Sequence, residues 1–386
     1  MQQKYLFVIN SGSSSAKFRL FGLTSDLPLL AQGTVNEIGG DSRFSAKTIG
    51  RETQDLPVCP LKTHEDAFDH VLAWLAHNDF ALEDIKAAAH RVVHGGERFS
   101  TPEFLSDDTL EYLHSITHLA PLHQPHNLIA VDILADKVPN ILQYGCFDTA
   151  FHANHEPLFT HFALPKEMAE QGVLRYGFHG MSYDWIAEQL EKNHPELAKG
   201  KVVVAHLGNG ASLCALKEGK SIDSTMGMTA LDGLPMGTRT GAIDAGAVLY
   251  IMDHMGYDIK QMEKLLYKES GLLGLSGISN DIKALTESDD EDAKFAVEYF
   301  AFKTAQYIAA MAVSIGGIDG LVFTAGIGEN SEDVRNTILK HLEFMPKFET
   351  HVIPTNEERR IAEKIWEYYA KDILNSQNTL HKRAAF

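Results

Sequence analysis

Two segments far apart in the chain, Tyr5 to Phe21 (YLFVINSGSSSAKFRLF) and Val202 to Leu216 (VVVAHLGNGASLCAL), share one plan. Each sends an apolar strand into a turn of Asn, Gly and Ser and returns through a second apolar strand. Small turn residues, with Gly12, Gly208 and Gly210 giving access to positive φ, let backbone N–H groups converge on an anion. A hairpin of this kind repeated in each half constrains the fold strongly. It implies two related α/β domains flanking a nucleotide cleft, and phosphoryl transfer as the chemistry.

Length agrees with duplication, because 386 residues exceed what one hydrophobic core usually organises. A formal net charge of −18 disfavours nucleic acid or a membrane surface as partner, so anionic small molecules must be met by local cations. The cysteines, Cys59, Cys146 and Cys214, are widely spaced and form no C-x-x-C pair. That pattern supports neither a disulfide framework nor a thiolate zinc site, and it fits a reducing cytoplasm. Lys4 precedes only a short apolar run, too brief for a signal peptide or a membrane span.

Periodicity places the remaining elements. Ala67, Val71, Leu72 and Leu75 share one helical face, Ala87 to Val93 reads as a strand, and Ile141 to Phe147 reads as a strand ending at Asp148-Thr149. A helix from Ser182 to Leu190 follows the Tyr176-Gly177-Phe178-His179-Gly180 turn, and a long Gly-, Met- and Thr-rich loop runs from Ser224 to Gly241. Ala293 to Ile315 reads as a helix with Phe295, Tyr299, Phe302, Tyr307, Ala310, Ala312 and Ile315 around much of its circumference, which predicts burial on several sides. Leu321 to Thr324 breaks into Ala325-Gly326-Ile327-Gly328-Glu329-Asn330, with Ser331 placed to cap the next helix. The expected domains are 1–148 and 149–356, with a C-terminal helix from about 357 to 386 packing back on the first.

In the first turn Ser13 and Ser15 offer donors while Lys17, on the returning strand, supplies a cation, the two parts of a phosphate cradle. Arg91 stands at the C-terminal end of a strand, where open α/β sheets bind ligands, although a surface arginine paired with a carboxylate has the same pattern. Arg239, in Met236-Gly237-Thr238-Arg239-Thr240-Gly241, is flanked by glycines that allow close backbone approach to a ligand while a guanidinium is presented. His118, His123 and His126 lack helical register because Pro121 and Pro125 intervene, so a single hydrogen-bonding His123 is favoured over a zinc site. His179, between a turn and a helix, either faces a cleft to stabilise negative charge or is a satisfied interior histidine. Asp148 is a carboxylate at a sheet mouth or an N-cap; Glu357 reads as first-turn acid of a helix.

The stretches VINSGSSSAKF, HRVVHGGE, APLHQPHN, FDTAFH, YGFHG, HLGNGAS, MGTRTG, FTAGIGEN and IPTNEE occur in order across residues 8 to 358. In them the chain resembles the acetate and propionate kinase family of the actin, sugar-kinase and Hsp70-like superfamily. The resemblance implies two duplicated actin-like (ribonuclease H-like) domains. It also implies ATP/ADP with Mg²⁺, or Mn²⁺ in its place, and transfer of the γ-phosphoryl group to acetate. A homodimer is implied as well, with the 293–315 helix as its expected seam. By the same resemblance Asn10 and Glu357 bind the metal, Arg91 contacts the carboxylate substrate, and Asp148 is the catalytic acidic residue. His179 and Arg239 stabilise the transition state, with His123 close by. His206, Leu207, Gly208, Asn209 and Gly210 line the nucleotide site with Asp281, Ile282, Lys283, Gly326, Ile327, Gly328, Glu329 and Asn330. Val93, Leu122 and Phe178 form an apolar pocket for the acyl group.

The chain departs from the family pattern at Gln124, Met181, Tyr183, Ala230, Ala245 and Lys283. Ala230 replaces a pocket-lining proline, which leaves propionate as an alternative acceptor, since one methylene shifts preference by only about 1–3 kcal/mol. Lys283 puts a point charge in place of a stackable guanidinium. A nucleotide-switched binding protein of the actin or Hsp70 kind is the alternative from another class. It would turn over ATP without needing a carboxylate.

Overall fold

The computed structural model describes residues 3–57, 60–138 and 140–383; Cys59 lies outside them. The chain divides into two compact units, Met1–Ala150 with Asn356–Phe386, and Phe151–Thr355. In the first, β1 (Tyr5–Ser11), β2 (Ala16–Gly22), β3 (Leu29–Asn36), β4 (Arg43–Thr48), β5 (Gln54–Pro57), β6 (Ile85–Val92), β7 (Glu103–Phe104) and β8 (Leu142–Phe147) form one sheet ordered β5-β4-β3-β2-β1-β6-β8-β7. In the second, β9 (Lys201–Leu207), β10 (Ala211–Lys217), β11 (Lys220–Ser224), β12 (Gly320–Thr324) and β13 (Glu349–Val352) are ordered β11-β10-β9-β12-β13.

The two sheets contain the same five-strand theme. An antiparallel meander, β3-β2-β1 or β11-β10-β9, continues into parallel neighbours, β6-β8 or β12-β13. The duplicated α/β class expected from the two hairpins is therefore present as a duplicated topology. β1 and β9 are central in their sheets, and their near-continuous apolar sequences follow from burial on both faces.

Strand alternation sends Tyr5, Phe7 and Ile9 into one core, with Phe18, Phe44 and the buried face of the His64–His77 helix. Each such side chain contributes about 1.5–3 kcal/mol on burial, so Phe7→Ala would cost about 3–5 kcal/mol. Thr63 and Asp66 form a capping box that fixes where that helix begins. The Glu357–Arg383 helix packs on β1 and β6, burying Ile361, Ala362 and Ile365. In the second unit the Gly180–Asn193 helix lays Tyr183, Ile186 and Leu190 on Val202, Val204, Cys214 and Val322.

Two sequence expectations change. The Glu291–Ile315 helix is buried along one face, from Ala293, Ala296 and Phe300 to Met311 and Ile315, while Phe295, Phe302 and Val313 are 55%, 43% and 81% exposed. The packed stripe mixes Ala293, Ala296, Ala301, Ala305 and Ala312 with Phe300, Ile308, Met311 and Ile315, so burial is confined to one face and not spread around the circumference. The glycines Gly12, Gly208 and Gly210 do not have positive φ. Their turns are instead closed by internal bonds, Gly12 N–H to Ser15 O at 2.8 Å and Gly208 N–H to Gly210 O at 3.1 Å, which occupy those donors. Cys146 and Cys214 are buried free thiols, and no described helix is long and apolar enough to cross a membrane.

Candidate functional site

In the first unit, parallel strands β1, β6 and β8 end side by side. Ile9 pairs with His90, and Arg91 pairs with Cys146, so Asn10, Arg91 and Asp148 arrive together at the carboxyl edge of the sheet, where such sheets hold ligands. Arg91 donates from Nε to Asp148 Oδ1 at 2.9 Å and from Nη2 to Oδ2 at 2.7 Å, while Nη1 lies 2.9 Å from Glu357 Oε2. The Asp148 side chain is 2% exposed and that of Glu357 12%. Burial, with Asp148 and Glu358 adding to it, pushes the Glu357 carboxyl up to about 7 against the lowering by Arg91 and Lys17. Burial opposes the charge of Arg91, but its two carboxylate partners prevail and hold it firmly protonated.

The other expected residues of this unit lie at strand, turn and helix ends. Lys17 is exposed and faces Asn10 across the β1–β2 pair, beside the turn that carries the exposed Ser13 and half-buried Ser15. Val93 N–H donates to Asn127 Oδ1 at 2.9 Å, and Asn127 Nδ2 donates to Ser11 O at 2.6 Å, which ties the ends of β1 and β6 together. Leu122 and His123 are half-buried where the Gln124–Lys137 helix begins. Gln124 is fully buried and bonds both backbone groups of His94, at 3.2 and 3.0 Å.

The second unit gathers His179, Gly210 and Arg239. His179 occupies the left-handed region, φ 58°, at the start of the Gly180–Asn193 helix, a conformation that costs a non-glycine residue about 1–3 kcal/mol. Its Nδ1 is 2.8 Å from Ser212 Oγ, and its ring stacks on His206 with centroids 4.2 Å apart. A Cβ on Gly210 would stand 3.4 Å from His179 Nε2 and 4.0 Å from Arg239 Nη1, so both cationic or donor groups face this one glycine. Arg239 donates to Ala230 O at 3.0 Å and has no ion pair among the described residues. Burial lowers its proton affinity below the ordinary arginine range.

A pocket of about 800 Å³ opens nearby in the sequence-expected place. It is lined by Gly208, Asn209, Asp281, Ile282, Lys283, Gly326, Ile327 and Asn330. Asn280, Thr286, Glu287, Ser331, Glu332 and Asp333 complete it and were not legible as pocket residues in the sequence. His206, Leu207, Gly210, Gly328 and Glu329 do not line it. His206 Nδ1 meets Ser182 Oγ at 2.8 Å, Leu207 is fully buried, and Glu329 Oε1 accepts from Ala325 N–H at 2.9 Å and Thr355 N–H at 3.0 Å. Phe178 is 2% exposed.

Residues 5–350 match the model of the Acetokinase family. The chain belongs to the acetokinase family. An acetate kinase of Methylocella silvestris is 41% identical over 390 aligned positions, covering 92% of this chain and 96% of its own. Another, from Rhodopseudomonas palustris strain TIE-1, is 40% identical over 388, with coverage of 94% and 97%. Among solved structures, a propionate kinase from Francisella tularensis superposes with TM-score 0.86 at 34% identity, covering 94% and 98% of the two chains. The Porphyromonas gingivalis acetate kinase gives 0.83 at 33%, with coverage of 93% and 98%.

In this acetokinase chain the supporting residues escaped sequence reading because their partners are distant. His64 Nε2–H donates to Gly12 O at 2.7 Å and His152 Nε2–H to Phe178 O at 3.0 Å, each holding a turn that carries site residues. The His152 ring fills the space beside Gly177, where a Cβ would come within 2.7 Å of it; Gly177 has φ 76°. The FDTAFH and YGFHG stretches were visible signals, but not their contact.

Proposed function

We propose that this chain is an acetate kinase, transferring the γ-phosphoryl group of ATP reversibly to acetate to give acetyl phosphate and ADP. The observation that carries this reading is Arg239, a half-buried arginine without a carboxylate, facing Gly210 together with His179. Desolvation by its surroundings works against the charge of Arg239, and an anion beside it offsets that cost; a phosphoryl group in transfer is such an anion. Acetate as acceptor comes from the relatives, which bear the name acetate kinase at about 40% identity over nearly the full chain.

The nucleotide is assigned to the second unit. Asp281, Glu287, Glu332 and Asp333 make the pocket acidic, which suits ribose hydroxyls rather than phosphates. The nucleoside end therefore occupies this pocket, with the phosphates toward Gly208, Gly326 and Arg239. Carboxylate binding and metal binding are assigned to the first unit, through Arg91 with Val93 and Leu122, and through Asn10 and Glu357; in the second unit Phe178 is assigned to the acyl group. Lys17, Ser13 and Ser15 are assigned to phosphate, and His123 to the reacting carboxylate.

No group of three His, Cys, Asp or Glu among the described residues could hold a metal. Asn10 and Glu357 are hard oxygen donors, and burial, with Asp148 and Glu358 adding to it, raises the proton affinity of Glu357, so a divalent cation beside it would offset that cost, which fits Mg²⁺. When bound, Mg²⁺ neutralises charge on the phosphates. The acceptor is already a carboxylate at neutral pH, so the chain's own work is positioning and charge stabilisation rather than proton removal. Asp148 accordingly orients Arg91.

A homodimer belongs to this reading, with exposed Phe295, Phe302 and Val313 as a contact face, and light scattering tests it. A cytoplasmic location belongs to it too, since ATP and reduced thiols are found there. Propionate is the second reading, favoured by the likeness to the Francisella enzyme. The test is hydroxamate formation from acetate, ATP, Mg²⁺ and hydroxylamine. Product from acetate with kcat/KM above that for propionate is expected; the reverse order selects the second reading, and no product from either defeats both.

A further inference from the structure

Tyr183 and His179 both end on one hydroxyl, Ser212 Oγ on β10. Tyr183 Oη lies 2.5 Å from it and His179 Nδ1 2.8 Å. Tyr183 and Ser212 are completely buried, at 0% exposure each, so neither O–H can turn to water for an acceptor. Burial also pushes the phenol well above its ordinary pKa, which keeps it a neutral donor.

The proton count then closes in one direction. Tyr183 has one O–H, and Ser212 Oγ is the acceptor it reaches. Ser212 has one proton in turn, and with Tyr183 donating to it that proton goes to His179 Nδ1. The opposite sense, His179 Nδ1–H to Ser212 and Ser212 to Tyr183, would leave a buried phenol proton with no acceptor, and Ser212 accepting from both would leave its own buried proton without one. An Nδ1 that accepts requires the proton of a neutral ring to be on Nε2. That is the nitrogen closer to Gly210, the glycine Arg239 also faces. The Arg239 guanidinium, facing the same glycine, disfavours a full charge on His179.

We propose that Tyr183 is a positioning residue which, through Ser212, holds His179 as its Nε2–H tautomer, so that the ring donates from Nε2 to the phosphoryl group in transfer. The inference rests on the acetate kinase reading for the identity of that group. Without the tautomer constraint Nε2 can present a lone pair to the phosphoryl oxygens and repel them. Tyr183 thus acts on the rate and not on substrate capture.

Two measurements test it. Neutron diffraction from deuterated wild-type crystals should show a deuteron on His179 Nε2 and none on Nδ1, with the Ser212 deuteron directed at Nδ1. A deuteron on Nδ1 overturns the proposal. In steady-state kinetics Tyr183→Phe should lower kcat about tenfold, as expected for loss of one buried hydrogen bond, and leave both KM values within about twofold. A kcat within about twofold of wild type, or a loss confined to KM, overturns it. If Tyr183→Phe does not fold, the diffraction result decides alone. Because that result needs no turnover, a protein inactive on acetate would defeat the functional reading while the tautomer is still decided.

Discussion

Arg91 and Asp148 are joined through two guanidinium nitrogens, Nε at 2.9 Å and Nη2 at 2.7 Å from the carboxylate oxygens, with Asp148 almost wholly buried. A carboxylate engaged at both oxygens serves as an orienting group. Asp148→Asn should therefore lower kcat/KM for acetate by about 100-fold without introducing a new pH limb, and it should lower Tm because it leaves a buried arginine half-paired. Initial rates and thermal denaturation check both; a new titration in the surviving activity would return Asp148 to the role of base.

Arg239 and Arg91 should part company in stability. Removing Arg91 leaves Asp148 and Glu357 buried without their cation, so Arg91→Ala should destabilise by about 3–5 kcal/mol. Arg239 has no carboxylate to strand, so Arg239→Ala should leave Tm unchanged or raised while kcat falls about 1000-fold. Arg239→Lys should recover little, since an ammonium lacks the planar fork. Denaturation curves beside rates for the three variants test this, and a large Tm loss in Arg239→Ala would contradict it.

Glu357 gives a pH signature. Burial raises its folded pKa from the ordinary 4.5 to about 7, so the folded state holds the proton more tightly than the unfolded state. Its contribution to stability is then fully present below about 4.5 and lost as pH rises through about 7. Without Mg²⁺, the stability of wild type relative to Glu357→Gln should fall across that window in urea titrations. Mg²⁺ competes with the proton, so its stabilising effect should be larger at pH 8 than at pH 6; equal effects would remove Glu357 from the metal site.

Gly237 should matter for the nucleotide. A Cβ there would lie 1.8 Å from Asn209 Oδ1, which also accepts from Asn280 at 3.0 Å. Gly237→Ala must displace the Asn209 carboxamide at the pocket wall, and KM for ATP should rise about tenfold with a smaller change in kcat. Equal KM values would show that Asn209 does not touch the nucleotide.

The sequence carried the architecture well because periodicity and turn chemistry are local. β1 with β2 and β9 with β10 were readable as repeats, and Arg91 and Asp148 were readable as residues at strand ends. Features set by distant packing were not. The glycines of the two hairpins suggested positive φ, yet Gly12, Gly208 and Gly210 do not have it, and a Cβ at Gly210 would meet His179 and Arg239 at ordinary contact distance. Aromatic spread suggested an all-round buried helix at Ala293 to Ile315, yet it packs along one face and leaves Phe295, Phe302 and Val313 exposed. Tyr183 looked like a simple departure from the family pattern until the sheet brought Ser212 to its hydroxyl.

The most direct test of phosphoryl transfer to acetate is a ³¹P NMR time course with ATP, Mg²⁺ and acetate. An acyl phosphate resonance should grow as the γ-phosphate signal falls, and neither should change when acetate is omitted. Inorganic phosphate released at the same rate with and without acetate would contradict the account.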